Sequence, residues 1–221
     1  MPEVIDVTGE GRHDGIERAV AALRRGQVVA LPTDTRYGLA VDAFSINGTD
    51  RLRKVAGRDR TVPLPVVVRS PKQLAGLVSV VPPAAEQLMA AFWPGPLTLV
   101  LAAESSLKWD LGASQGTVAV RMPLDDVALA VIRGLGPLAL TGAARPDTDP
   151  ATTAEQAAQE FGDEVAAYLD DGPRERGVLS TIVDLTRREP HLLREGGLDT
   201  AAVLAVARGE LDPAEAPPTE E

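Results

Sequence analysis

The chain has no cysteine, which excludes disulfides, thiolate metal sites and a cysteine nucleophile. Its two histidines, His13 and His191, are too few for a histidine-rich metal centre, and neither lies in a pattern from which a Ser-His-Asp triad can be assembled. Lysine is nearly absent. Only Lys54, Lys72 and Lys108 contribute to the 22 basic residues, so almost all positive charge is arginine, whose planar fork suits phosphate and carboxylate. No run of eighteen apolar residues occurs, so no membrane span is expected. The opening residues lack the basic-then-apolar pattern of a signal peptide, and a cytoplasmic protein is the simplest reading. The net charge of −10 opposes non-specific nucleic-acid binding, which rests on phosphate neutralisation, and therefore disfavours RNA as a partner.

What is present is the composition of a globular protein, 44% apolar and 24% charged over 221 residues, long enough to bury a large core. The chain is organised around Leu31 to Leu39, Leu-Pro-Thr-Asp-Thr-Arg-Tyr-Gly-Leu. The apolar run Val28 to Leu31 enters it and Leu39 to Val41 leaves it, so a buried strand reaches an edge, presents a row of polar groups and returns to the core. Pro32 cannot donate to a sheet and marks where pairing stops.

Periodicity predicts a helix over 13–25, stopped by Gly26, and a strand over 27–31. Asn47-Gly48 predicts a turn over 45–49, followed by a helix over 50–56. Further strands are expected at 63–68, 97–102, 116–122, 137–140, 165–169, 180–185 and 191–194, and helices at 71–77, 82–92, 127–133, from Thr152 or Thr153 to 161, and from Asp199 or Thr200 to 211. Residues 170–177 read as a polar loop. Several neighbouring strands lack a helix between them, which predicts one α/β domain over residues 1–211, a twisted mixed sheet flanked by helices. The segment 212–221, rich in proline and glutamate, is expected to be a disordered acidic tail. No phosphate-binding Gly-x-x-x-x-Gly-Lys-Ser/Thr loop and no dinucleotide Gly-x-Gly-x-x-Gly is present.

The polar residues at the ends of these elements are Thr33, Asp34, Thr35, Arg58, Arg60, Thr117, Arg121, Thr141, Ser180, Thr181 and Arg194. Arginines and hydroxyls so placed suit a small polyanionic ligand such as a nucleoside triphosphate. Arg121, at the end of a core strand, needs a partner: a salt bridge to Asp125 or Asp126, or a bound anion.

The ordered set Pro32-Thr33-Asp34-Thr35 with Tyr37-Gly38-Leu39, Gly57-Arg58, Trp93 to Thr98, Val118 to Pro123, Ser180 to Asp184 and Leu193-Arg194 resembles the YrdC/Sua5 family of threonylcarbamoyl-AMP synthases, in its short form. The resemblance implies a YrdC-like fold and a reaction joining L-threonine, bicarbonate and ATP into threonylcarbamoyl-AMP. That product would feed modification of tRNA adenosine 37 through a downstream threonylcarbamoyl-transfer machinery. It further implies that Thr35, Thr117 and Ser180 hold threonine. Arg58 and Arg121 would be catalytic, and Arg58, Arg60, Thr141 and Arg194 would hold the nucleotide. Mg²⁺ would arrive with ATP, with no dedicated metal ligands.

The chain departs from the family pattern at Ala56 and Val62, where lysine is usual, and at Gly142 and Ala144, where a hydroxyl and an amide are usual. Arg36 replaces a small apolar residue and is expected to supply the charge that Ala56 lacks. The alternative reading is a catalytically degenerate YrdC-like paralogue that binds a nucleotide, an amino acid or RNA.

Overall fold

The computed structural model describes residues 3–174 and 178–217. Ten strands form one twisted mixed sheet: β1 (Val4–Asp6), β2 (Val29–Leu31), β3 (Gly38–Asp42), β4 (Val66–Val67), β5 (Leu97–Ala102), β6 (Thr117–Arg121), β7 (Leu138–Gly142), β8 (Ala167–Asp170), β9 (Thr181–Asp184) and β10 (His191–Arg194). Their order across the sheet is β1-β8-β2-β3-β7-β4-β6-β5-β9-β10. The hairpins β2-β3, β5-β6 and β9-β10 are antiparallel, while β8 lies parallel to β1 and β2, β4 to β6, and β5 to β9. Helices are α1 (Arg12–Arg24), α2 (Ile46–Ala56), α3 (Pro83–Phe92), α4 (Asp126–Leu135), α5 (Ala154–Phe161) and α6 (Thr200–Arg208).

Period-two alternation explains how the sheet buries both faces. Val28 and Ala30 point into one apolar cluster and Val29 and Leu31 into the other; β3 repeats the pattern with Leu39 and Val41 against Ala40. The larger cluster takes α2, α3, α5 and α6; the smaller takes α1 and α4. Each fully buried leucine contributes about 1.5–3 kcal/mol relative to exposure. Four of the helices, α2, α4, α5 and α6, begin where short polar side chains accept otherwise unpaired backbone N–H groups: Ser45 from Gly48, Asp125 from Ala128, Thr153 from Gln156 and Asp199 from Ala201 and Ala202. Gly57 ends α2 in a left-handed conformation, φ 62°, which turns the chain toward Arg58.

Several expectations are corrected. Asn47-Gly48 is not a turn; it lies in the first turn of α2, because the Ser45 cap starts the helix earlier than the propensities of Asn and Gly indicate. Residues 71–76 form a 3₁₀ helix, not an α-helix. Strand β4 has only two residues, since Pro63 and Pro65 lack the N–H that would extend its pairing. Strand β1 was not anticipated; it is a three-residue edge with little apolar signal. From the expected tail, Pro213–Glu215 form a 3₁₀ turn capped by Asp212, and Ala216 packs on the core; residues 218–221 lie outside the described residues. So do residues 175–177 of the predicted polar loop.

Candidate active site

The Leu31–Leu39 stretch leaves β2, turns and returns as β3. Thr33 shapes the turn: its buried hydroxyl donates to the Arg36 carbonyl at 2.7 Å, accepts from the Thr35 and Arg36 amides, and lies 2.9 Å from the Thr35 hydroxyl. Local side-chain bonding of this kind is what lets a polar turn hold one shape.

Arg121 closes on that turn from the end of β6. Its Nη1 donates to Thr35 Oγ1 at 3.1 Å, its Nη2 to Asp34 Oδ1, and its Nε to the Gly95 carbonyl at 3.0 Å. Every nitrogen of the guanidinium is thereby engaged by the protein. The partner is Asp34, not the expected Asp125 or Asp126. Asp125 pairs with Arg174 at 2.8 Å, and Asp126 faces Arg12 of α1 at 3.9 Å. Asp34 Oδ1 also accepts from the Leu124 amide at 3.1 Å, while Oδ2 is buried with no hydrogen-bond partner.

On β5, Thr98 sits directly across from Arg121. Its hydroxyl lies 2.9 Å from that of Ser180, just ahead of β9, and Arg194 of β10 donates to both the Ser180 hydroxyl and carbonyl at 2.9 Å. Thr35, Arg121, Thr98, Ser180 and Arg194 therefore line up across β6, β5, β9 and β10. Burial and the nearby positive charge of Arg121 lower the pKa of Arg194, as expected of two guanidiniums facing a common space. Among the described residues, no carboxylate pairs with Arg194 or Arg58, and Arg58 Nε is buried without a partner. Buried Arg53 holds the Arg58 turn in place by donating to the carbonyls of Asp59, Val62 and Leu111.

The structure thus brings together Thr35, Arg121, Ser180 and Arg194 of the residues singled out from the sequence. None of the other four is bonded to that line. Thr117 is at the far end of β6, about 13 Å along the strand from Arg121, with its hydroxyl donated to the Ser114 carbonyl. Arg60 is exposed and held by Asp50 and Asp110. Thr141 sits in β7 opposite Leu39. Arg58 stands on its own turn, unpaired. Arg36 places its charge 3.5 Å from Asp149 and donates to the Pro150 carbonyl. Thr98, quoted from the sequence only as the end of the Trp93 to Thr98 motif, and Arg174 were not singled out there as site residues. Thr98 is a hydroxyl inside the apolar strand Leu97–Ala102, a signal that was available; Arg174 carries no local signal.

A third cluster backs the turn. Tyr37 is fully buried and donates to the Gly172 carbonyl at 2.8 Å; burial pushes its pKa up to about 12. Burial likewise raises Asp125 to about 6, against the opposing effects of its bond from the Ala128 amide and of Arg174. No group of three or more His, Asp or Glu side chains is placed to hold a metal among the described residues. No helix there is long and apolar enough to cross a membrane.

Comparison with known proteins gives the family to which this fold belongs. The Sua5/YciO/YrdC family model, described as telomere recombination, matches residues 21–196. The chain belongs to the Sua5/YciO/YrdC family. A putative threonylcarbamoyl-AMP synthase of Mycobacterium tuberculosis is 44% identical over 207 residues, 93% of this chain and 95% of that protein. The threonylcarbamoyl-AMP synthase of Bacillus subtilis is 37% identical across 91% of this chain, which spans 60% of that longer protein. The crystal structure of Pyrococcus abyssi Sua5 complexed with L-threonine superposes with a TM-score of 0.88 at 34% identity, covering 99% of this chain and 67% of that one. Escherichia coli YciO shares the fold at a TM-score of 0.81 and 23% identity, over 90% of this chain and 98% of that one. The Sua5-like fold is the twisted mixed sheet expected from neighbouring strands without an intervening helix.

Proposed function

We propose that this chain is a threonylcarbamoyl-AMP synthase, joining L-threonine, bicarbonate and ATP. The observation that carries the reading is the line of Thr35, Thr98, Ser180 and Arg194 around the Arg121 guanidinium. The threonine amine attacks the bicarbonate carbon, water leaves, and the carbamate oxygen then attacks the α-phosphorus of ATP and displaces pyrophosphate. The hydroxyls of Thr35 and Ser180 hold the amino acid. Arg194 and Arg58, which have no carboxylate partners, take the anionic groups of the substrates. Arg121 serves differently from the sequence-based expectation: it holds the Thr35 hydroxyl directly and is itself fixed by Asp34 and the Gly95 carbonyl. Mg²⁺, where required, comes with the ATP phosphates. In this reading the product would pass to tRNA threonylcarbamoyl transfer, with a cytoplasmic location as part of the proposal.

A second reading rests on the replaced positions. Ala56 and Ala144 are fully buried, and a Cβ on Gly142 would come 2.8 Å from Pro150, so these sites offer neither charge nor hydroxyl to a ligand. A paralogue that kept the pocket and lost turnover would look the same. Pyrophosphate release with threonine, bicarbonate and ATP, with the adenylate followed by mass spectrometry, separates the two. Threonine-dependent product that Arg194→Ala abolishes supports the synthase. A raised melting temperature with ATP or threonine but no product supports the paralogue.

A further inference from the structure

Arg174 touches three separate stretches of the site. Its Nε donates to the Thr33 carbonyl at 2.9 Å, in the turn that carries Thr35. Its Nη2 donates to Asp125 Oδ2 at 2.8 Å, in the connection that follows Arg121, and to Asp171 Oδ2 at 3.0 Å. Its Nη1 donates to the Asp171 carbonyl at 3.0 Å, and the guanidinium lies 5.7 Å from the centre of the Tyr37 ring. The Arg174 amide is itself tied to the Thr152 carbonyl. The Arg174 and Asp125 side chains are only 16% and 6% exposed.

This contact set differs from that of a surface ion pair. An exposed pair contributes little and leaves its neighbours free to move. Here one planar fork with fixed donor directions must satisfy a main-chain carbonyl of one loop and a carboxylate of another at once. Asp125 is fixed from its other side, since Oδ1 accepts from the Ala128 amide at the start of α4. Thr33 is fixed in turn, since its hydroxyl organises the Thr35 and Arg36 amides. Each nitrogen of the Arg174 guanidinium is engaged by Thr33, Asp125 or Asp171, and none of these bonds runs to Arg121, Thr98, Ser180 or Arg194.

We propose that Arg174, anchored by Asp125, is a positioning residue that sets the 33–37 turn against the end of β6 and so fixes the Thr35 hydroxyl for the amino-acid substrate. The kinetic part of this inference rests on the synthase reading; the structural part does not. The groups facing Asp125 are Arg174 and Asp171 from the 170–174 segment, and Asp34, already held by Arg121, from the turn. Its neighbour Asp126 faces Arg12 of α1. Protonating Asp125 removes the ionic anchor of Arg174 and leaves Asp171 as its remaining carboxylate.

Hydrogen–deuterium exchange on the ligand-free wild type, Arg174→Gln and Asp125→Asn tests the tie without any substrate. Asn retains the cap on α4, so the second variant keeps the fold if the first does not. Exchange in 33–37 and 170–174 is expected to rise about tenfold in both variants, with β5 and α6 unchanged. Wild type at pH 5 should approach Asp125→Asn. In turnover assays, KM for threonine should rise about tenfold and KM for ATP less than about twofold, a split that general destabilisation does not produce. Unchanged exchange, or KM values for threonine and ATP that rise together, would overturn the proposal. A wild type that makes no pyrophosphate would overturn the synthase reading, while the exchange data would still decide whether Arg174 holds the turn.

Discussion

Asp34 and Arg121 stand 87 positions apart in the chain and form an ion pair in which the side chains are 11% and 9% exposed. The pair ties the turn between β2 and β3 to the end of β6, strands that the sheet order separates by β7 and β4. Removing Arg121 leaves a buried carboxylate whose second oxygen already lacks a hydrogen-bond partner, at a cost of about 3–5 kcal/mol. Arg121→Ala is expected to melt roughly 6–20 °C below wild type in a thermal scan. A variant that melts with wild type would mean that the pair does not hold the turn to the end of β6.

Arg194 makes the opposite case. Its bonds run to Ser180 alone, and its charge is opposed by burial and by Arg121. Arg194→Ala should lose about one hydrogen bond's worth of stability, ~1 kcal/mol, yet reduce kcat/KM by about 10²-fold or more. Activity within tenfold of wild type would remove Arg194 from the anion-binding role.

Thr98→Val keeps the shape of the side chain and deletes the hydroxyl that faces Ser180 at 2.9 Å. Ser180 retains its bond from Arg194, so the loss of stability should be small. KM for threonine should rise several-fold, with KM for ATP unchanged. Equal changes in both would show that the Thr98 hydroxyl has no specific part in holding the amino acid.

Asp125 gives a pH dependence of defined sign. Burial raises its pKa to about 6 from the ordinary 3.8, so its contribution to stability is fully present below about pH 4 and is lost as pH rises through 6. Ionisation therefore costs the folded state up to about 3 kcal/mol at pH 7.5. Urea unfolding, which reads the global balance and not the local tie of Arg174 to the 33–37 turn, should find Asp125→Asn more stable than wild type at pH 7.5 and equal to it near pH 4. A less stable variant at pH 7.5 would show that the attraction of Arg174 outweighs burial.

Gly142→Ala tests whether a replaced family position is closed by packing. The new methyl group would meet the Pro150 ring at 2.8 Å, and the expected cost is about 1–3 kcal/mol by chemical denaturation. Wild-type stability would mean that the 145–150 segment yields and that the space remains open to a ligand.

The sequence by itself determined the elements whose signal is local. Apolar runs marked β2, β3 and β5, and alternation marked β6; the cap candidates at 152–153 and 199–200 marked α5 and α6; and the ordered motifs marked the family. It also singled out Thr35, Arg121, Ser180 and Arg194 as chemically unusual at strand ends. It was silent on partners, because a side chain's partner depends on which strands lie side by side. Asp125 is four residues from Arg121 and was the natural candidate, but Arg121 turns to Asp34 because the twisted sheet carries the β2–β3 turn to the end of β6. Register likewise separated Thr117 from Arg121 along one strand and set Thr98 opposite it on the next. Residue types and periods are written in the chain, whereas the convergence of Thr35, Thr98, Ser180, Arg174 and Arg194 is a property of pairing and twist between segments far apart in sequence. Only the tertiary structure decided which arginines pair with carboxylates, as Arg121 and Arg174 do, and which, such as Arg194, do not.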